Sequence, residues 1–431
     1  GTYSRYHRPD LSTENLYRDM PADIDTMTIA SLSWREMFTD PKLQSLIETG
    51  LERNADLNVA RLRVEAAEAV LMTARLSYLP SLGLTAEGNA NKHDGATAKT
   101  YNVGASASWE LDIFGKLTAA KRAALQGSRA YRQAVQTQLV ATIADSYYTL
   151  AMLDAQMTIS NRTLENWRTT VRTLEALKKV GKSNEAGVLQ AKANVMRLEA
   201  SLLSIRKSIS ETENALSAIL AMPSHSIGRS DLAEAAFPDT VSIGVPLQLL
   251  SNRPDVRQAE MELAQAFYAT NAARAAFYPN ITLSGILGWT NNGGGVIVNP
   301  GQWLLNAIGS LTQPLFNRGV NIANLKIAKS RQEEAKLLFR QSLLNAGKEV
   351  NDALTAWQTA KSQIEINARQ VETLCDAVRK TESLMRHSNT TYLEVLTAKQ
   401  SLLEAEVQQL QTRFERIQSI IKLYHALGGG M

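Results

Sequence analysis

The chain has 431 residues, 44% of them hydrophobic, which is enough to bury a sizeable core and excludes a disordered polymer. Lys and Arg total 46 against 42 for Asp and Glu, and these charges are spread along the chain, so no basic patch points to nucleic acid. The sequence has no apolar run of about 18 residues or more, which excludes the usual helical membrane span, and its single cysteine, Cys375, excludes an internal disulfide or a Cys-based metal site.

The opening residues, GTYSRYHRPD, lack the apolar stretch of a signal peptide, and the sequence is read as already processed. Residues 1–33 are expected to form an extended N-terminal tail. Beyond it the chain is duplicated at a spacing of about 200 residues. LPSLGLTAEG from Leu79 matches YPNITLSGILG from Tyr278; WELDIFGK ending at Lys116 matches LTQPLFNR ending at Arg318; GVLQAKANVMRLEA from Gly187 matches EVLTAKQSLLEAEV from Glu394. This divides the chain into a first repeat, 34–222, a proline- and glycine-broken connector in an equatorial region, 223–246, and a second repeat, 247–431.

Each repeat carries a strand pair with period-two alternation, over about 80–91 and 99–111, then about 279–290 and 301–313. In the first strand Leu82, Leu84, Ala86 and Ala90 alternate with Ser81, Thr85, Glu87 and Asn89. Its partner sets Tyr101, Val103, Ala105, Ala107, Trp109 and Leu111 against Asn102, Ser106, Ser108 and Glu110, across a polar loop, NKHDGATAK. Ile281, Leu283, Leu287 and Trp289, then Trp303, Leu305, Ala307 and Leu311, repeat the pattern. Strands of this length with one apolar face and terminal aromatics fit a transmembrane β-barrel. Leu82, Leu84, Val103, Trp109, Ile281, Leu283 and Trp289 are the expected membrane-facing residues.

Leu117 to about Val180 and Val320 to about His387 contain no proline and predict helices of roughly 95 to 100 Å at about 1.5 Å per residue. Their apolar positions follow heptads, through Leu153, Met157, Leu164, Trp167, Val171 and Leu174, and through Trp357, Ile364, Val371, Cys375, Val378 and Met385. Cys375 is read as a small buried hydrophobe in that seam. The returning helices continue the pattern through Leu198 to Ile219 and Leu403 to Tyr424. A narrow apolar seam flanked by polar faces suits a helical wall wetted on both sides better than a solid bundle. The turns VGKSNEAG from Val180 and RHSNTTYLE from Arg386 lie farthest from the strands and predict the tip. Four strands do not close alone, and only closed barrels and helices cross a bilayer, so the chain requires an oligomer of two, three or four copies.

LSNRPDVRQAEMEL from Leu250, ARAAFYPNITLSGILG from Ala273, WELDIFGK and QPLFNRG together resemble the TolC-like outer-membrane factor family over nearly the whole chain and in the same order. The resemblance implies a mainly α fold with a membrane β-barrel: a homotrimer sharing a 12-stranded barrel and a 12-helix periplasmic α-barrel tunnel. It implies a passive exit duct in the outer membrane of a Gram-negative bacterium, coupled through a periplasmic adaptor protein to an inner-membrane transporter. Tyr6, Arg8 and Pro9 resemble the segment that follows the lipidated cysteine in the lipoprotein branch, which implies a cysteine before residue 1 anchored in outer-membrane lipid. The family tends to place pore-facing acidic residues after the second turn, where this chain has Glu394 and Thr397; these are the candidate periplasmic gate. Met385 and Thr390 stand where TolC carries its latch residues.

No chemistry competes with this reading. His7, His93, His225, His387 and His425 show no ligand spacing, and Gly293–Gly295 is followed by no phosphate-loop lysine and is read as a hairpin loop. The eleven methionines are dispersed and read as core filler. No catalytic, metal or cofactor site is expected, nor a nucleic-acid partner. The rival readings are a soluble periplasmic coiled-coil scaffold or adaptor, which leaves the one-sided strands without purpose, and an enzyme on a helical frame, for which no convergent acid, base or nucleophile is found.

Overall fold

The computed structural model describes residues 4–18, 28–111, 118–244, 246–290, 302–313, 315–387 and 392–431. Asp112 to Lys116, the run Gly293–Gly295 and Thr390, all singled out above, lie outside them. Helices α1 (Trp34–Met37), α2 (Pro41–Arg53) and α3 (Ala55–Leu76) lead into strands β1 (Ser81–His93) and β2 (Ala96–Glu110), then α4 (Thr118–Lys179) and α5 (Glu185–Ile219). After the connector come α6 (Leu249–Asn252), α7 (Pro254–Ala275), β3 (Asn280–Thr290), β4 (Gln302–Thr312), α8 (Val320–His387) and α9 (Tyr392–Ala426). The expected order of each repeat is therefore present, with α4 and α8 running 62 and 68 residues. The chain folds into two compact units, each drawing segments from both repeats.

One unit comprises residues 1–11, 61–131 and 257–342 and holds the sheet. Its four strands are antiparallel in the order β1-β2-β3-β4. The helices attached to these strands follow the same order. Val64 and Leu71 of α3 cluster with Leu125 of α4; Gly127 of α4 lies against Met261 and Gln265 of α7; Thr270 of α7 donates a 3.2 Å hydrogen bond to the Ala328 carbonyl of α8. Along α7, Arg8 pairs with Glu260 at 2.9 Å, Tyr6 packs edge-on against Phe267, and Asn271 donates to the Ser4 carbonyl at 3.1 Å.

The polar loop expected over residues 91–99 is mostly strand. Asp94 and Gly95, with φ of 48° and 82°, make the reversal alone, because two positive-φ residues match the twist of the flanking strands.

The second unit comprises residues 12–60, 132–256 and 343–431. Leu153, Leu164 and Trp167 of α4 pack with Leu198, Leu202 and Ile205 of α5 and with Leu403 of α9, which are the expected heptad positions. Cys375 departs from expectation: it is exposed. The half-buried line of α8 there runs through Val371, Leu374 and Val378, spaced three and four, and leaves Cys375 beside it.

Ionic and hydroxyl clusters fasten the connector. Arg229 donates to both carboxylate oxygens of Asp154, at 2.6 and 2.8 Å, and to Glu213 at 3.0 Å. Tyr147 donates to Asp40 at 2.6 Å and accepts from the Ser230 amide at 2.8 Å. Asp40 also caps α2, accepting from the Lys42 amide, with Pro41 at the first helical position. Arg253, 5% exposed, donates to Asp255 at 2.9 and 2.6 Å, to Glu349 at 2.6 Å and to the Ala426 carbonyl at the end of α9 at 3.2 Å. A buried guanidinium with this many acceptors is satisfied; without them it would cost several kcal/mol, on the order of the penalty for an unpaired buried ion.

Candidate pore-forming surfaces

The register decides which residues share a face of the sheet, because directly opposed residues project to the same side. Leu84 opposes Ala105, which opposes Leu287; Ala86 opposes Val103, which opposes Trp289; Leu82 opposes Ala107; Trp109 opposes Leu283; Ile281 opposes Leu311. All seven residues expected to face the membrane (Leu82, Leu84, Val103, Trp109, Ile281, Leu283 and Trp289) therefore lie on one face that crosses all four strands. Leu82 and Leu84 are 82% and 91% exposed, so this chain alone covers almost none of them.

The opposite face carries Ser81, Thr85, Glu87, Asn102, Ser106, Ser108, Glu110, Thr282 and Ser284, together with the apolar Ile286 and, by register, Leu304 and Ile308. Aromatics mark both ends of the apolar face. Tyr101 and Trp289 stand at one end and Trp109 at the other, where its indole donates to the Tyr78 carbonyl at 3.0 Å while the Tyr78 hydroxyl accepts from Thr118 at 3.2 Å. Eight residues separate Tyr101 from Trp109, about 26 Å along a strand at ~3.3 Å per residue. At the strand tilt of about 35–45° in outer-membrane barrels this spans about 20 Å of depth, most of the apolar band of about 25 Å between their aromatic girdles.

Within this sheet Gly104 opposes Gly288. A Cβ on Gly104 would stand 2.6 Å from the Leu287 carbonyl oxygen and 2.9 Å from the Gly288 Cα, and one on Gly288 would drive into the Val103 carbonyl. The two repeats thus meet through a backbone approach that only glycine permits. Sequence reading passed over this pair, although an isolated glycine inside an alternating strand is the signal that marks such an approach.

At the far end of the helices, α9 packs Tyr392 and Leu396 against Leu174, Val188 and Ala191, and Val395 is also buried. Glu394 and Thr397 lie on the other side of that first turn, both exposed, and Thr397 donates to the Leu393 carbonyl at 2.8 Å. Met385, at a latch position of the related channel, instead packs into the apolar cluster. Polar ties missed by the sequence reading join the two hairpins here. Lys399 of α9 reaches Asn166 at 3.0 Å and Thr170 at 2.6 Å on α4, and Glu382 of α8 at 3.0 Å; Arg162 of α4 reaches Glu406 of α9 at 2.6 Å.

Among the described residues no group of His, Cys, Asp and Glu could hold a metal ion, and no helix is long and apolar enough to cross a membrane.

Comparison with known proteins agrees with this division. The model of the outer membrane efflux protein family matches residues 46–222 and 245–429, one stretch in each repeat. The cation efflux system protein CusC of Escherichia coli O6:H1 is 31% identical over 408 residues, spanning 92% of this chain and 88% of the relative. The probable outer membrane lipoprotein SilC of Salmonella typhimurium is 32% identical over 409 residues, with coverage of 92% and 88%. The solved outer-membrane channel OprN superposes with a TM-score of 0.90 at 27% identity, covering 99% of this chain and 98% of that one. The chain belongs to the outer membrane efflux protein family, whose members form the outer-membrane channels of efflux systems.

Proposed function

We propose that three copies of this chain close their sheets into one 12-stranded barrel, with the apolar face toward lipid and the polar face toward a water-filled lumen. The observation that carries this reading is the four-stranded sheet whose apolar face is bare and whose outer strands, β1 and β4, each keep one unpaired edge. In a bilayer every backbone donor and acceptor on those edges needs a partner, and a neighbouring copy supplies it: β4 of one pairs with β1 of the next. The long helices continue the duct into the periplasm. The duct itself is passive and has no catalytic step; an inner-membrane transporter, joined through a periplasmic adaptor, drives transport and selects the solute.

Three copies of Glu394 at the tip would set a ring of carboxylates beside Thr397, which attracts cations and repels itself. The exposure of both residues on one side of α9 supports this gate. An acylated cysteine immediately before Gly1 would hold each copy in the outer membrane; supporting it, the N-terminal segment climbs α7 from Glu260 to Asn271, toward the strand end of that helix, and the related SilC is described as a lipoprotein. Mass spectrometry of the native protein should find a diacylated or triacylated N-terminus, and an unmodified one rejects the anchor.

Light scattering of the detergent-solubilised protein should give the mass of a trimer, and planar bilayers should show conductance. A monomer without conductance rejects the duct. Glu394→Ala should raise conductance and weaken block by divalent cations; unchanged values for both reject the gate.

A further inference from the structure

Where the connector crosses the long helices it does not lie flush against them. A pocket of about 710 Å³ remains between α4, α8, α9 and residues 231–239, all of them within the connector unit. Its walls run from Ala151 to Ile159 on α4, from Trp357 to Ile364 on α8 and from Leu410 to Ile420 on α9. At 1.5 Å of rise per residue these stretches are roughly 10 to 15 Å long, so the pocket is a trough along the helices. Its volume falls within the range of small-ligand sites, about 300 to 1,000 Å³.

The floor of the trough is apolar: Leu232, Leu410, Ile417 and Ile420 are buried, and Trp357 is 6% exposed. The Trp357 indole N–H is buried with no acceptor among the described residues. A buried donor without a partner is costly, so the wall carries a polar group that the chain itself leaves unanswered.

One side of the mouth is cationic. Arg413 and Arg416 stand one turn apart on α9, and the Lys361 ammonium of α8 lies 5.0 Å from the Trp357 ring. Arg416 pairs with the Asp239 carboxylate at 3.2 Å, whereas Lys361 donates to the Asp239 carbonyl at 3.1 Å. Among the described residues Arg413 and Lys361 thus have no carboxylate partner. On the α4 side Arg229 already holds both oxygens of Asp154, and Asp231 is the one lining acid left unpaired. Asp231 stands two residues from Arg229, on that α4 side, and repels an anion toward α9.

We propose that this trough binds a fatty acid, with its alkyl chain along Trp357 and Ile417 and its carboxylate on Arg413. Arg416, one turn away, already holds a carboxylate, so this part of α9 accepts that group. An elongated apolar floor suits a single extended alkyl chain better than a rigid ring system. The pocket is built within one copy, so the assignment does not rest on the oligomeric reading. A ligand seated there touches α4 of the first repeat and α8 and α9 of the second, and ties the two helical hairpins together beneath the connector.

The test is equilibrium binding of radiolabelled decanoate to the full chain in phosphatidylcholine nanodiscs, with uptake by empty nanodiscs subtracted. Saturable binding is expected. Arg413→Glu, at an exposed position, should weaken it at least tenfold, and Arg413→Lys should restore most of the loss. Ala155→Phe, which fills the trough from α4, should remove it, with the circular dichroism of each variant unchanged. Decyltrimethylammonium, with the same alkyl chain and a cationic head, should bind at least tenfold more weakly than decanoate. Absence of saturable binding overturns the proposal, as does equal binding of the cation or unchanged binding in Arg413→Glu. Conductance of the same samples reports separately on the duct.

Discussion

The two units solve the problem of surface in opposite ways. In the unit that holds the connector, Arg229, Arg253 and Asp40 each hold several partners, Leu343 and Val350 of α8 are buried, and Phe38 and Tyr148 pack edge-on around Phe237 with Tyr424 against Phe38. In the sheet unit Leu82 and Leu84 are bare and two strand edges are open. The connector unit closes an aromatic core yet still exposes Leu189, Met196, Leu203 and Ile366 along its long helices, whereas the sheet unit leaves Leu82, Leu84 and two strand edges uncovered. Local packing is therefore no measure of how complete a unit is; the register of its hydrogen bonds and the chemistry of its bare face are.

Four changes would break or sharpen that contrast. The largest effect is expected for Arg253→Ala, which leaves Asp255, Glu349 and the Ala426 carbonyl without their shared donor; it should cost about 3–5 kcal/mol, read as a drop in the thermal midpoint of the detergent-solubilised protein. If the midpoint holds, the connector unit does not depend on this buried cation. Leu84→Lys places a charge on the bare face and should cost roughly 2–4 kcal/mol in lipid. The same change should be nearly silent in a water-exposed sheet, so comparing yields of membrane-inserted and total protein separates the two environments.

Gly288→Ala forces its methyl into the Val103 carbonyl and should destabilise the joint between β2 and β3 by about 1–3 kcal/mol, visible as faster amide exchange confined to those strands. The smallest effect is that of acid. Burial alone would raise Asp255, but the Arg253 guanidinium outweighs it and holds the carboxyl below the usual range. Burial likewise opposes Asp40, and hydrogen bonds from Tyr147, the Lys42 amide and Ser230 outweigh it. Both folded pKa values are depressed, so their contribution is complete above the unfolded carboxylate value of about 4 and is lost as pH falls through the lower folded values. A denaturation midpoint that falls as the pH drops below about 4, less steeply in Asp40→Asn, is the expected result; an unchanged slope in that variant removes Asp40 from the account.

Much of this was legible in the sequence for a physical reason: alternation of period two and heptads of period 3.5 are local. Leu82, Val103 and Ile281 could each be assigned to the apolar side of its own strand because alternation leaves two sides only, and Leu153 to Leu174 could be assigned to a seam by their heptad spacing. What escaped depends on partners far along the chain. Arg253 meets Glu349 and Arg229 meets Asp154 across separations of 96 and 75 residues, which no spacing rule connects. Cys375 was misplaced because Val371 and Val378 fix a seam only to within one residue, and Leu374 took the position. The Asp94–Gly95 reversal was legible and overlooked, since an Asp-Gly pair between alternating strands is the strongest short signal of a two-residue turn.

The glycine pair bears on how a duplicated chain tells itself from its neighbours. Gly104 lies five residues before Trp109, and its counterpart in the second repeat, five before Leu311, is Asn306; Gly288 lies ten after Tyr278, and its counterpart, ten after Leu79, is Asn89. If the copies joined as proposed, the seam of β4 with β1 would carry amides at the level where the seam of β2 with β3 carries no side chains at all. Ancestral repeats of one kind would have made all such seams alike. Here the seam within the copy is bare of side chains at that level, and the proposed seam between copies would set Asn306 and Asn89 there.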